Sequence, residues 1–403
     1  MKILVLNAGS SSQKSCLYDL SGPLPLLPPK PLWEAHVDWT HTPGAAEIKV
    51  KTGSGKTLQE TLSTGNRPQI IGKILETLWQ GETAVIADPS EVAGVGHRVV
   101  HGGSIYQQSV LIASKVKSDI AELAVFAPEH NPANLEGIEA SEQFFGNIPQ
   151  VATFDTAFHA QMPKTSAVYP GPYFWFEKGL QRYGFHGISH QYVSERTSTI
   201  LQRDLSTLKL VTCHLGNGCS LAAIQGGKSI DTTMGFTPLE GLMMGSRSGS
   251  LDPGLVLHLI EHQGYSAEEL TKVLNKESGL KGISGISADL RPVIAAMEQG
   301  NERAKLAIDL YIHSLIRGIG AMVAVLGGLD ALVFTAGVGE NAPSIRAAVC
   351  KGLQFLGIQL DAEQNNQSPI DLDIATPESS IRVVVVHTQE DWAIAKDCWK
   401  LIQ

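Results

Sequence analysis

Cysteine is scarce and irregularly placed. The chain carries five, Cys16, Cys213, Cys219, Cys350 and Cys398, an odd number with no C-x-x-C pair. That suits a reducing compartment and argues against a zinc ribbon. Basic charge is also short. Lys and Arg total 31 against 40 Asp and Glu, a net charge of −9. Non-specific nucleic-acid binding needs a basic face, so no nucleic-acid partner is expected. A local basic pocket, which any phosphate enzyme needs, is still compatible with that balance. Met1 leads straight into a strand, so no signal peptide is expected. No apolar run is long enough to cross a membrane without a break. The stretch 318–339 is nearly uncharged, but Gly327-Gly-Leu-Asp330 splits it into helix, turn and strand. The expectation is a cytoplasmic protein with no membrane partner. At 403 residues, 43% hydrophobic and 18% charged, it reads as a soluble globular chain of two domains.

Two familiar signatures are missing as well. Gly53-Ser-Gly-Lys-Thr57 resembles the end of a P-loop, but the required first Gly falls at Val50. Gly227-Lys-Ser229 fails in the same way, with Ala222 at that place. Both read as turns. His258-Leu-Ile-Glu-His262 has the inverted zinc-protease order, and its two His share a helix face. No second carboxylate helix accompanies it, so surface or interface histidines are expected there.

The first nineteen residues are the most informative part that is present. Ile3 to Leu6 is a short apolar strand. Asn7, Gly9, Ser10, Ser11 and Ser12 then crowd donors into a tip, Lys14 adds a cation, and Leu17 and Tyr18 resume the strand. A hairpin tip with backbone N–H groups, hydroxyls, an amide and an ammonium suits a phosphate. An ordinary Ser-rich turn explains this segment equally well when it is taken alone. A second copy favours the phosphate. Leu208 to Leu215 is another strand, Gly216-Asn-Gly-Cys-Ser220 another tip, and Leu221 to Ile224 the return. The two units suggest an internal duplication that grips a polyphosphate. A third segment, Asp330 to Asn341, reads as a strand ending in Gly337 and Gly339 and followed by a helix through Leu353. Ligands of open α/β sheets gather at such ends, and Gly lets a base or ribose approach the backbone. A plain strand-to-helix connection fits this segment too.

Elsewhere, residues 21–70 read as irregular, with several prolines and then short polar strand candidates. Helical spacing covers 70–80, 118–126, 133–145, 253–263, 267–276, 301–326 and 391–401. Strands are expected over 92–101, 149–154 and 381–386. A domain boundary is placed near residue 150. Residues 1–150 with 388–403 then form the first domain, and 151–387 the second.

The first loop and Gly96-His-Arg-Val-Val-His-Gly-Gly103 bring the chain to a known family. Ala127-Pro-Glu-His-Asn-Pro132, Phe154-Asp-Thr-Ala-Phe-His159, Arg182-Tyr-Gly-Phe-His-Gly-Ile-Ser-His190 and His214-Leu-Gly-Asn-Gly218 fit the same pattern. So do Met244-Gly-Ser-Arg-Ser-Gly-Ser-Leu-Asp-Pro253, the stretch from Phe334 to Pro343, and Thr388-Gln-Glu390. The chain resembles the acetokinase family, of the acetate and sugar kinase/Hsp70/actin superfamily, along its whole length. The resemblance implies an α/β fold of two lobes: a duplicated ribonuclease H-like, actin-like ATPase fold with mixed sheets flanked by helices. It implies transfer of the ATP γ-phosphoryl group to acetate, giving acetyl phosphate and ADP. Mg2+ is the implied metal, with Mn2+ as its substitute. A homodimer and metabolic coupling to phosphate acetyltransferase are implied too. Propionate or butyrate as acceptor is the runner-up. A sugar kinase needs a base for its hydroxyl acceptor. An actin- or Hsp70-like module needs more partner surface than 403 residues leave.

The resemblance also assigns residues. Arg98 and Arg247 fall at the acetate and the transferring phosphoryl, where guanidinium forks offset the charge of two anions. His186, His130 and Asn217 are implied donors to the phosphoryl. Asp155 is an implied active-site carboxylate. A carboxylate acceptor is already ionised at neutral pH, so Asp155 is not expected to act as a base. Val100, Phe185 and Pro238 line the implied methyl pocket. Asn7, Ser10, Ser12 and Lys14 form the first phosphate loop, and His214, Gly216, Asn217 and Gly218 the second. Asp289, Arg291, Gly337, Gly339, Glu340 and Asn341 form the nucleotide pocket. Asn7 and Glu390 are assigned to the metal. Three positions depart from the family pattern: Ser246 stands for Thr, Ser250 for Asp, and Glu129 for a Leu of the acyl pocket.

Overall fold

The computed structural model describes the chain apart from residues 10–11, 40–43, 64–66 and 368. It divides into two compact units. One is Met1–Ala160 with Gln389–Gln403, the other Gln161–Thr388.

The first unit holds strands β1 (Lys2–Ala8), β2 (Ser12–Asp19), β3 (Trp33–Asp38), β4 (Ala45–Thr52), β5 (Thr57–Ser63), β6 (Val92–Val99), β7 (Val110–Leu111) and β8 (Gln150–Phe154). Their order is β5-β4-β3-β2-β1-β6-β8-β7. The second unit holds β9 (Lys209–Leu215), β10 (Cys219–Gln225), β11 (Lys228–Thr232), β12 (Ala331–Thr335), β13 (Leu372–Asp373) and β14 (Arg382–Val385), in the order β11-β10-β9-β12-β14-β13. Strand for strand, β3-β2-β1-β6-β8-β7 repeats as β11-β10-β9-β12-β14-β13. In each sheet the hairpin strand pairs parallel with the next long strand, β1 with β6 and β9 with β12. A second parallel pair follows, β6 with β8 and β12 with β14, and a two-residue antiparallel strand ends the sheet. The helices flank two mixed sheets, which is the duplicated ribonuclease H-like arrangement.

The short polar strand candidates that follow the prolines of residues 21–70 are β3, β4 and β5. The alternation is present but one-sided: Trp33, Ala35, Val37, Ala46, Ile48 and Val50 are buried, while Glu34, Lys49 and Lys51 are exposed. A sheet with one wet face needs only every second residue to be apolar. Their core face packs with Ile70, Ile71, Ile74 and Leu75 of the helix Arg67–Glu76.

The C-terminal helix Glu390–Ile402 belongs to the first unit, where it packs on β1 and β6. Two glycines of β6 make room for it. A Cβ on Gly96 would meet Ile394 Cγ2 at 2.7 Å and the Ile394 carbonyl oxygen at 3.4 Å. One on Gly94 would meet Ile402 Cδ1 at 2.8 Å and the Pro149 carbonyl oxygen at 3.2 Å. In the second unit the helix Glu302–Leu326 is long and apolar enough to cross a membrane by composition. Asn301 caps its start and Gly327, at φ 63°, ends it. Tyr311, Leu315, Ile319 and Met322 put one stripe of it into the core.

The glycine contacts give a stability prediction. Gly96→Ala and Gly94→Ala should each cost about 1–3 kcal/mol of unfolding free energy through overpacking. Urea unfolding of the two variants checks both losses. Equal, negligible losses would mean the helix does not seat on β6 as described.

Candidate active site

In the first unit, β1, β6 and β8 run parallel, so their C-terminal ends lie together. Arg98 is the penultimate residue of β6, and Asp155 follows β8 directly. The Asp155 N–H donates to the Val99 carbonyl at 3.0 Å, which fixes the backbone of the turn. Arg98 Nε donates to Asp155 Oδ1 at 3.1 Å and Oδ2 at 3.2 Å, and Nη2 to Oδ2 at 2.5 Å. Asp155 is 1% exposed, so its charge rests on this fork. Burial pushes the Arg98 pKa down, but Asp155, with Glu390 and Asp391, outweighs it and the pKa is raised. Arg98 therefore stays cationic. Its Nη1 makes no hydrogen bond to the described residues and is free to donate.

Glu390 and Asp391 open the C-terminal helix, where acidic residues also suit the helix dipole. Asn7 Nδ2 donates to Asp391 Oδ1 at 2.7 Å and approaches Glu390 Oε2 at 3.4 Å. Lys14 stands opposite Asn7 across the β1–β2 hairpin and is exposed. Ser12 starts β2, and its carbonyl accepts from the Gly9 N–H at 2.8 Å to close the tip. Ser10 lies outside the described residues. The structure thus brings Arg98, Asp155, Asn7 and Glu390 together and adds Asp391.

Two buried amides set the ends of β1 and β6. Asn134 Oδ1 accepts from the Val100 N–H at 3.0 Å, and its Nδ2 donates to the Ala8 carbonyl at 3.0 Å. Asn131 holds both backbone groups of His101. They sit at i and i+3 in the helix Asn131–Phe145, with Pro132 in its first turn. Val100 is buried. His130 stands at the start of that helix and is half-buried. Glu129 is exposed, so its carboxylate meets solvent.

In the second unit the β9–β10 tip is Gly216-Asn217-Gly218, closed by the Gly216 N–H to the Gly218 carbonyl at 3.0 Å. His186 caps the helix Gly187–Leu201 with φ 57°. That left-handed conformation costs a non-glycine residue about 1–3 kcal/mol, so the surroundings must hold it. Ser220 Oγ lies 2.8 Å from His186 Nδ1, and the His186 ring stacks on His214 at 4.1 Å between centroids. The same Ser220 Oγ lies 2.8 Å from His190 Nε2, and His190 Nδ1 lies 2.7 Å from Thr212 Oγ1. His214 Nδ1 meets Ser189 Oγ at 2.8 Å, which in turn meets Thr388 Oγ1 at 3.0 Å. These hydroxyls fix both ring planes and leave each Nε2 pointing toward the tip. A Cβ on Gly218 would meet Arg247 Nη1 at 3.4 Å and His186 Nε2 at 3.5 Å, and one on Gly216 would meet His214 Nε2 at 3.8 Å. Arg247 Nη1 donates to the Pro238 carbonyl at 3.1 Å, and the Gly245 N–H to the Asn217 carbonyl at 3.1 Å. So Arg247, His186, His214, Pro238 and the Gly216–Gly218 tip converge. Phe185 is buried beside them. Ser250 is exposed, and its Oγ accepts from the Gly241 N–H at 3.0 Å.

Gly337 and Gly339 do not lie in an open loop. They belong to a helical turn, Ala336–Asn341, which follows β12 at once because Ala336 adopts φ 63°. Glu340 ties the turn down. Its Oε1 accepts from the Ala336 N–H at 2.8 Å and the Thr388 N–H at 3.1 Å, and its Oε2 meets His387 Nδ1 at 2.6 Å. Burial raises the Glu340 pKa, but His387 and the two N–H groups outweigh it and hold it low. Arg346, fully buried, donates to the Gly339 and Glu340 carbonyls at 2.9 and 2.8 Å and to Asn365. Burial lowers its pKa to about 10. Asn341 Nδ2 donates to the Gly337 carbonyl at 2.9 Å. Asp289 caps the helix Leu290–Glu298 and pairs with exposed Arg291, Nε to Oδ2 at 3.0 Å.

Sequence reasoning missed Asp391, Asn134, Ser220, Ser189 and Arg346. Asp391 had a signal, its place beside Glu390. The other four look like ordinary polar residues until their partners are known.

A family profile described as the acetokinase family matches residues 2–396. An acetate kinase from Cyanothece sp. is 65% identical over 403 residues, which is 100% of this chain and 99% of that one. Among solved structures, the acetate kinase of Porphyromonas gingivalis superposes with a TM-score of 0.91 at 40% identity, covering 100% of both chains. A propionate kinase from Francisella tularensis superposes with a TM-score of 0.90 at 37% identity over 99% of each chain. The resemblance read from scattered motifs therefore extends to the whole sequence and to both sheets, and the chain belongs to the acetokinase family.

Proposed function

We propose that the chain catalyses reversible transfer of the γ-phosphoryl group of ATP to acetate, giving ADP and acetyl phosphate. The observation that carries this reading is the oriented guanidinium of Arg98, locked by a buried carboxylate at the end of β6 with one edge left to a ligand. Family membership supplies the reaction class. The acceptor is a carboxylate, ionised at neutral pH, so no proton need be removed. An acetate oxygen forms a bond to the γ-phosphorus, and the bond to the β,γ-bridging oxygen breaks, its electron pair leaving with ADP. Catalysis then rests on positioning and on offsetting negative charge.

Arg98 orients the acetate and Arg247 the phosphoryl oxygens. His186 donates from Nε2 if Ser220 donates to its Nδ1, and Asn217 donates from the second tip. Asp155 is a positioning residue, since Arg98 occupies both its oxygens. Val100, Phe185 and Pro238 face the methyl group, and His130 adds a further donor to the phosphoryl. Asn7, Ser10, Ser12 and Lys14 serve as one set of phosphate-oxygen donors, and His214, Gly216 and Gly218 as a second. The turn Ala336–Asn341 and the cap Asp289–Arg291 form the nucleoside pocket.

Mg2+ fits the donors present. Glu390, Asp391 and the Asn7 amide are hard oxygen donors at one helix start, and Mg2+ takes one or two carboxylates plus phosphate and water. No cluster of three His, Cys, Asp or Glu arranged as a metal cage occurs among the described residues. Glu390, with Asn7, would hold the ion, which supplies charge neutralisation on the phosphates. Mn2+ suits the same donors.

A second copy of the chain is the expected partner. The helix Pro253–Gln263 buries none of its residues within the chain, yet Leu255, Leu257 and Ile260 are 44%, 56% and 41% exposed. Such an apolar face suits a homodimer. The cytoplasm is the setting of this reading. Propionate as acceptor is a second reading, favoured by the likeness to the Francisella propionate kinase.

A hydroxamate assay with acetate, propionate and butyrate, together with an ADP-release assay with glucose, tests the reading. Acetate should give the highest kcat/KM and glucose no product. Higher kcat/KM with propionate would establish the second reading, and turnover of glucose alone would overturn both. Arg98→Ala and Arg247→Ala should each lower kcat by at least about a hundredfold with the fold intact. Near-normal turnover of folded Arg247→Ala would remove it from the site. Glu390→Ala should raise the Mg2+ concentration for half activity far more than the acetate KM. An unchanged Mg2+ requirement would leave Glu390 with only its helix-start role.

A further inference from the structure

The wet face of β2–β5, beside the start of the C-terminal helix, forms a cavity of about 510 Å3. That is within the range of small-molecule sites. Strand register sets its lining. Lys14 of β2, His36 of β3, Lys49 of β4 and Gln59 of β5 stand opposite one another in one row, and all four face the cavity. The next row is Cys16, Glu34, Lys51 and Thr57. There Glu34 and Lys51 are cross-strand partners of opposite charge and offset each other. The first row contains no carboxylate. The backbones of Lys14 and Lys49 lie two strand spacings apart, about 10 Å. Among the described residues, Lys14, Lys49 and Lys51 donate no side-chain hydrogen bond and form no ion pair. Burial first, then Lys14 and Lys49, push the His36 pKa down, against Asp38. At neutral pH His36 thus offers one N–H between two cations.

The fourth wall is Asp391, whose two oxygens are both hydrogen-bonded. Its Oδ1 accepts from Asn7 Nδ2 at 2.7 Å, and its Oδ2 lies 3.7 Å from the Cys16 thiol. The same side chain therefore borders both the cavity and the phosphate-loop residue Asn7.

We infer that the Lys14–His36–Lys49 row binds a small, multiply charged oxyanion, a phosphate ester or a polycarboxylate, at a site that adjoins the phosphate loop and shares Lys14 with it. Two ammoniums and an imidazole N–H spaced across three strands match a molecule with two anionic groups better than a single small ion. Occupancy acts on the reaction through Lys14 and Asp391. Only this coupling rests on the proposed phosphoryl transfer.

The test uses the full chain. Mg2+ and a non-hydrolysable β,γ-imido ATP analogue first fill the phosphoryl site, and their binding is verified separately. An analogue that fails to bind counts against the kinase reading, and the titration is then run without it. Inorganic pyrophosphate and tricarballylate are titrated in by calorimetry at constant free Mg2+ and ionic strength. One anion per chain is expected. Lys49→Glu should raise its Kd at least about tenfold, the size of one charge-assisted contact. Lys49→Gln should raise it less. Both variants should keep the anion-free kcat within about twofold, as exposed substitutions do. Tighter pyrophosphate identifies a phosphate ester, tighter tricarballylate a polycarboxylate. Absence of binding by either probe, or an unchanged Kd in Lys49→Glu, overturns the site. A half-saturating Mg2+ concentration that the anion shifts in wild type but not in Lys49→Glu supports the coupling. No shift in wild type overturns it.

Discussion

The fork between Arg98 and Asp155 is the interaction on which the first unit's chemistry depends. Parallel strands bring side chains from distant parts of the sequence to one edge of a sheet. They do not by themselves orient a five-donor guanidinium. Asp155 does so, because it is buried and takes two of the guanidinium nitrogens in a planar contact. The dependence runs both ways. Without Arg98, Asp155 would be a buried charge with no partner, a loss of about 3–5 kcal/mol. Stability and function share one contact, so Lys at position 98 could not replace Arg without giving up the second nitrogen.

The two units build their sites on the same strand order with different chemistry around it. In the first, amides of a neighbouring helix hold the strand ends, Asn134 bridging Ala8 and Val100. In the second, hydroxyls and imidazoles do so, with Ser220 shared by His186 and His190. The imidazole solution lets the same residues support the backbone and present a donor nitrogen. It also keeps His186 in a left-handed conformation that its neighbours must stabilise. Where the second sheet ends, Glu340 and Arg346 clamp one short helical turn from both sides, using a carboxylate on N–H groups and a guanidinium on carbonyls.

Much of this was legible because it is local. Strand, Gly- and Ser-rich tip, strand is a pattern in consecutive residues, and β1–β2 and β9–β10 follow it. The breaks at Gly327 and at the C-terminal helix start were legible for the same reason. What was not legible depends on partners far along the chain. Asp391 looks like an ordinary acidic helix start until Asn7 is seen beside it. Asn134 lies inside a helix, where a buried amide has no sequence signature. The helix Gly187–Leu201 was not anticipated at all, because its buried side includes Ser189, His190, Ser194 and Thr197 and so lacks an apolar stripe. Gly337 and Gly339 suggested the end of the strand. The positive φ of Ala336 instead turns the chain into a helix one residue after the strand.

The central claim is that Asp155 serves the reaction only through Arg98. A double-mutant cycle on kcat, with Arg98→Ala, Asp155→Asn and the pair, tests it most directly. If Asp155 works by orienting Arg98, the double variant turns over no more slowly than Arg98→Ala, and the two losses do not add. Losses that multiply in the double variant would give Asp155 a role of its own at the reacting atoms, and would contradict the account.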